Sequence, residues 1–228
     1  MMRMKRLLLA LLLFAGSVCA QTTVTIGENT GNTYSGSRLF ELNQGDPTTA
    51  YWGTSGRLKK GLGSNEELSL SLFPGLTNIA GPVTVTSATL YIYQTTTGDQ
   101  TAITIAGHLL KRAPVYDQAT WNVYSTGNNW GTGGAYNDTS DREGTAFDTS
   151  PALNGAGYIA FTSAQLATDI QTAINAAAGT IGFQLVSDDL FSRITVAYEA
   201  DSDGQRPYLE FTYTAAGSSG LLRRRRGH

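Results

Sequence analysis

Cysteine is nearly absent: Cys19 is the one cysteine in 228 residues. A lone cysteine excludes an intrachain disulfide framework and a thiolate metal cluster. Any fold must therefore be held by burial. Histidine is almost as scarce, with His108 inside a strand-like stretch and His228 at the last position. Sites built on several histidines are excluded, and no Gly-x-Ser-x-Gly, His-Glu-x-x-His or phosphate-loop motif occurs. Basic residues are few in the body of the chain. Of 16 Lys and Arg, three (Arg3, Lys5, Arg6) stand near the N-terminus and four (Arg223 to Arg226) near the C-terminus, leaving nine between them against 18 acids. A body of about −9 rules out a nucleic-acid-binding face. Long apolar runs are missing too. The longest, Leu7 to Ala15, is about half the ~20 residues a membrane-spanning helix needs.

That run sits in a recognisable address. Arg3, Lys5 and Arg6 precede it, and Gly16-Ser17-Val18-Cys19-Ala20 follows, the pattern of a secretory signal peptide over residues 1–20. Val18 and Ala20 suit a cleavage site before Gln21. Lipidation at Cys19 is the alternative, and it fits less well because Gly16-Ser17-Val18 lacks the leucine expected at its start. Cleavage at Ala20 removes the only thiol and predicts a cysteine-free protein at the cell surface or outside a bacterial cell.

What is abundant points to β structure. The chain has 26 glycines, many threonines, 41% hydrophobic residues and only 15% charged ones. That composition supports a core and short strands joined by Gly-rich turns. Period-two alternation marks strands at Thr23–Ile26, Leu68–Phe73, Val83–Val85, Ser87–Tyr93, Ala102–Ala106, His108–Leu110, Tyr158–Phe161, Ile181–Val186, Ile194–Tyr198 and Tyr208–Tyr213. One segment is helical. Ser163 is a good N-cap, Leu166, Ile170, Ile174 and Ala177 share a face, and Gly179 is a stop signal. These features predict an all-β protein, an antiparallel two-sheet jelly-roll-like sandwich with one short Ala-rich helix at about 164–178. Residues 21–214 form one domain, and 215–228 form a Gly/Ser and polybasic tail. The irregular stretch 114–157 is long enough to be functional.

The motifs fall in a familiar order. Ser87-Ala88-Thr89-Leu90-Tyr91-Ile92-Tyr93 is followed by Asp117-Gln118-Ala119-Thr120-Trp121-Asn122, then by Asn129-Trp130-Gly131-Thr132-Gly133-Gly134-Ala135. The helix, Ile181-Gly182-Phe183-Gln184-Leu185 and Arg206-Pro207-Tyr208-Leu209-Glu210-Phe211-Thr212-Tyr213 complete the series. This order resembles the DNRLRE-domain proteins, related to disaggregatase repeats and to carbohydrate-binding module family 96. The resemblance implies a secreted jelly-roll-like sandwich that serves as an accessory or surface module without catalysis of its own.

Candidate binding residues cluster in the long loop. Trp130, with Asn128, Asn129, Tyr124 and Tyr136, is a candidate carbohydrate platform, since an indole stacks on the C–H face of a sugar while amides bind its hydroxyls. The alternative is that Trp130 covers an open end of the sandwich. Tyr51 and Trp52 form a second aromatic pair. Asp138, Asp141 and Glu143 supply hard oxygens of the kind calcium takes, and a solvated turn with Arg142 as a local partner is the alternative. Asp188-Asp189 and Asp201-Ser202-Asp203-Gly204 read as turns. Trp121, Tyr91, Tyr93, Phe183, Leu209 and Phe211 are expected in the core.

The sequence therefore predicts a non-catalytic carbohydrate-binding or cell-surface adhesion module. Its partner would be a polysaccharide, neutral in view of the acidic body, with no required cofactor beyond an optional calcium. The alternative is a structural subunit that self-associates in a surface layer, filament or virion-like assembly through its first strand and basic tail.

Overall fold

The computed structural model describes residues 20–27, 37–52, 56–59, 66–97, 104–187, 193–196 and 205–216. The leader, the polybasic tail, Asp188-Asp189, Asp201–Gly204 and the side chain of Trp52 lie outside the described residues. In chain order the elements are β1 (Gln21–Gly27), β2 (Arg38–Asn43), β3 (Tyr51–Trp52), β4 (Gly56–Lys59), β5 (Glu67–Pro74), β6 (Val83–Thr97) and β7 (Thr104–Leu109). There follow β8 (Val123–Ser125), β9 (Asn128–Asn129), β10 (Asp148–Pro151), β11 (Gly157–Thr162), α1 (Ala164–Asn175), β12 (Thr180–Ser187), β13 (Arg193–Val196) and β14 (Tyr208–Ala215).

The strands pair antiparallel and pack as a sandwich with one helix. Layer one runs β1-β14-β6-β11, and layer two runs β3-β2-β5-β12-β7-β10. β13 and β4 join them, because β13 pairs with the end of β6 while β4 pairs with β5. The core between the layers takes Ile26, Leu90, Ile92, Phe161, Leu209 and Phe211 from one side and Leu39, Phe73, Ile105, Phe183 and Leu185 from the other.

The two alternating stretches Val83–Val85 and Ser87–Tyr93 belong to a single strand. Tyr213 faces Val85 and Thr212 faces Ser87, so Thr86 is an extra residue in β6. A bulge shifts the side-chain phase by one. Val83 and Val85 before it, and Ala88, Leu90 and Ile92 after it, are thereby all buried. The same phase turns Tyr91 and Tyr93 outward, where they are half-buried. They are not the core residues that the hydrophobic content of their strand suggested. Phe183, Leu209 and Phe211 do lie in the core.

β5 departs from a half-buried strand. Leu68, Ser69, Leu70, Ser71, Leu72 and Phe73 are all buried. The leucines point away from the sandwich, into a second apolar cluster with Phe40 and Leu42 of β2 and with Trp121 and Trp130 of the long loop. Ser69 and Ser71 point inward beside Leu185 and Phe183. Layer two is therefore covered on both faces, and residues 110–147 form its outer lid.

Helix α1 starts at Ser163, whose hydroxyl accepts the Leu166 N–H at 3.0 Å. Leu166, Ala167, Ile170 and Ile174 are buried against the core. It ends at Asn175, earlier than the Gly179 stop. Ala177 adopts a left-handed φ of 53°, and the Asn175 amide bonds Val83 N and O at 2.8 and 3.2 Å. Gln171 accepts the Val85 N–H at 3.0 Å. Two helix side chains thus stand in for a neighbouring strand along the start of β6.

Candidate functional site

The lid is built from the two tryptophan motifs, and they interlock. The Trp130 ring N–H donates to the Thr120 carbonyl at 2.9 Å, and its backbone N–H to Asn122 O at 3.1 Å. In return, Gly134 donates its N–H to the Trp121 carbonyl at 2.8 Å. Gly133 and Gly134 lie flat on Trp121: a Cβ at either would fall within 2.6–2.7 Å of the indole. Gly134 also has a φ of 76°, which side chains disfavour. The Trp-x-x-Gly-Gly spacing is therefore a packing requirement.

Asp141 holds the lid together from inside. Its side chain has 0% exposure and accepts the N–H groups of Gly131, Thr132 and Asn137 at 2.9, 3.0 and 3.2 Å and the Ser140 hydroxyl at 3.0 Å. Arg112 approaches the same carboxylate at 3.5 Å. Burial works to raise the carboxyl's pKa, but the donors from Gly131, Thr132, Ser140 and Asn137 outweigh it and hold the group below the usual carboxylate value.

The three carboxylates expected to take calcium are engaged within the protein. Asp138 pairs with Arg142 at 3.1 Å, Glu143 with Lys111 at 3.3 Å, and Asp141 spends its oxygens on the loop backbone. No group of three His, Cys, Asp or Glu suited to a metal occurs among the described residues. The local pairing read for Arg142 is present. Lys111 and Arg112 are also engaged within the lid, at the Asp138 and Ser140 carbonyls.

Trp130 is likewise corrected as an exposed plate. It is 5% exposed and tilted against Tyr124 at 5.5 Å, and Arg112 lies over the Tyr124 ring. Trp121 is 8% exposed and serves as a core anchor, as expected. Tyr136 donates its hydroxyl to Glu66 and lies under Arg142, 4.6 Å from the ring centre. Burial, then the Glu66 carboxylate, push its pKa up. Asn128 binds back to Ser125 Oγ at 2.9 Å. Tyr124, Tyr136 and Asn128 thus belong to the lid's own bonding.

The lid carries a depression of about 540 Å³ over Trp130. Asn122, Asn129, Thr48 and Thr132 are exposed along it, and Thr120 and Trp130 are buried in its floor. No charged side chain lines it. Asn129 and Trp130 were legible as candidates, whereas Asn122, Thr48 and Thr132 were not. Thr48 comes from the β2–β3 turn, which a backbone bond from Asn122 N to Pro47 O at 3.2 Å brings alongside.

His108 lies on the same side of layer two, 8% exposed, with Nδ1 2.9 Å from the Glu143 carbonyl. Since a carbonyl only accepts, Nδ1 carries the proton. Burial chiefly lowers the imidazole's pKa. No helix among the described residues is long and apolar enough to cross a membrane. No protein-family model matches the chain and no curated protein matches it, so the likeness to DNRLRE-domain proteins stands on the motif order alone.

Proposed function

We propose that the chain is a secreted, non-catalytic carbohydrate-binding or cell-surface adhesion module that takes a short neutral glycan in the lid depression. The uncharged rim carries this reading. Asn122, Asn129, Thr48 and Thr132 offer amides and hydroxyls, the donor and acceptor pairs that sugar hydroxyls need, around an aromatic floor. Trp130 contributes as a buried support that fixes Asn129 and Gly131. The reading requires no cofactor, and export rests on the leader pattern of residues 1–20.

A glycan array tests it with wild type, Asn129→Ala and Thr132→Val. A hydrogen bond to a sugar hydroxyl contributes about 1–1.5 kcal/mol, so each variant should lose roughly tenfold in affinity at unchanged melting temperature. Unchanged binding after chelation is expected. Absence of any array signal for the wild type overturns the reading.

A second reading, a subunit of an extracellular assembly, is favoured by β1. Among the described residues it is an edge strand of layer one, paired with β14 on one side. An open edge of this kind accepts another strand. Concentration-dependent polymers with no glycan binding would select it.

A further inference from the structure

The outward face of layer one carries four tyrosines from three adjacent strands: Tyr208 of β14, Tyr91 and Tyr93 of β6, and Tyr158 of β11. Tyr208 is directly opposite Tyr91, and Tyr158 opposite Tyr93. All four are half-buried. The Tyr91 and Tyr208 rings stack at 4.3 Å and 17°. Tyr158 stands nearly perpendicular to Tyr93, Tyr208 and Tyr91, at 5.0, 5.2 and 6.2 Å. The patch thus presents ring faces and ring edges together. Burial, then Tyr208 and Tyr93, push the Tyr158 phenol up to about 12, and burial, then Tyr91 and Glu210, raise that of Tyr208.

Threonine hydroxyls continue the face. Thr89 bonds Thr162 at 2.9 Å, and Thr23 bonds Thr212 at 3.0 Å. Glu210 lies in register with Thr89 and Thr25, which places one carboxylate on the face. The described outward positions of β1, β14, β6 and β11 that flank the tyrosines include no Lys or Arg.

We propose that this face is a second binding surface, distinct from the lid depression, which takes an extended, uncharged polysaccharide chain across the four tyrosines. The proposal shares with the function above the premise of a glycan ligand. Three strands at about 4.8 Å spacing make the aromatic patch roughly 10 Å wide, the length of two or three sugar rings. A protein partner needs about 800 Å² per side, far more than four half-buried rings supply. Arg206, whose carbonyl accepts the Tyr158 hydroxyl at 3.1 Å, borders the patch, and Glu210 puts a carboxylate on the face itself, which disfavours polyanions. A broad sheet face suits a ribbon-like chain with equatorial linkages, whose flat C–H faces meet aromatic rings.

The probes are two polymers with one backbone: hydroxyethylcellulose, which is neutral, and carboxymethylcellulose, which is anionic. In native affinity gels the wild type should be retarded by the first and at least tenfold more weakly by the second. Tyr93→Thr and Tyr208→Thr, which keep β propensity, should each weaken retardation at least fivefold. Asn129→Ala should weaken it less than either tyrosine variant does. In the wild type, hydroxyethylcellulose should shield Tyr93, Tyr158 and Tyr208 from nitration by tetranitromethane, read by mass spectrometry, whether or not the variants fold. Equal retardation by both polymers, full nitration in the presence of polymer, or loss in Asn129→Ala with retention in the tyrosine variants overturns the platform. A wild type that binds on the array but is not retarded overturns the platform alone, and a blank array with no retardation overturns both sites. Self-association lost in the tyrosine variants without any retardation makes the face a protein contact and overturns the proposal.

Discussion

Gln184 ties the lid to the sheet through Gly134. Its amide donates to the Gly134 carbonyl at 2.6 Å, and its oxygen accepts from Arg142 Nη1 at 2.7 Å. The side chain has no exposure and stands on the outward face of β12. Gln184→Leu would leave the buried Gly134 carbonyl and the Nη1 of Arg142 without this partner, at a cost of about 3 kcal/mol. Urea denaturation should show it. Gln184→Glu, which keeps the partner for Arg142 and loses the donor to Gly134, should fall between leucine and wild type.

The two left-handed glycines of the lid should respond differently to alanine. Gly127 has a φ of 78° with nothing within 4 Å of a would-be Cβ, so Gly127→Ala should cost about 1–2 kcal/mol from backbone strain alone. Gly134→Ala adds an overlap with Trp121 at 2.7 Å, which brings its cost to about 3–4 kcal/mol. Thermal melts of the pair, side by side, check the difference.

Acid should destabilise the fold through His108. Its pKa is depressed in the native state, by burial first and also by Arg142, against the backbone bond to Glu143 and the charge of Asp138. The unfolded chain, with the ordinary value of 6.5, therefore binds the proton more readily. Stability is full above pH 6.5 and declines as pH falls towards the lower native pKa. Denaturation midpoints at pH 7.5 and 5.5 should differ, and His108→Gln should flatten that slope. The buried Asp141 acts in a separate, more acidic window. Its native pKa is depressed, so its contribution persists above the ordinary carboxylate value and disappears below it.

Ser71→Ala should stabilise the protein. Ser71 Oγ is buried between Leu39 and Phe183 and finds no hydrogen-bond partner among the described residues. Removing a desolvated hydroxyl from apolar surroundings is worth about 1 kcal/mol, or a few degrees in melting temperature.

The sandwich was legible in the sequence wherever one face of a strand meets solvent. β1, β11 and β14 alternate because layer one has an open outer face. β2 was not legible, since Leu39, Phe40, Glu41 and Leu42 are all buried, and a strand covered on both sides loses its period. β5 showed its period, but alternation alone does not say which face is covered, and its leucines face the lid. The lid itself was visible as two tryptophan motifs. Their Gly and Asn surroundings suggested exposure, whereas the glycines serve to let the backbone lie on the indole. The tyrosine face escaped notice because a hydrophobic strand with aromatic residues looks like core. Only the bulge at Thr86, seen as a parity change between Val85 and Ala88, would have assigned the facing.

The pairing of β1 with β14 has a consequence for how the chain acquires its shape. Thr23 and Thr212 touch across 189 residues of sequence. A growing polypeptide that has passed residue 187 already holds every strand of layer two, together with the lid, and these contacts are mostly nearer in sequence. Layer one lacks its middle strand until Tyr208–Ala215 emerges, so β1 and β6 wait with apolar flanks and no common neighbour. Loop closure over that distance is slow. The last eight-residue strand is thus the latch of the whole assembly, and chains that stop short of it carry two sticky edges.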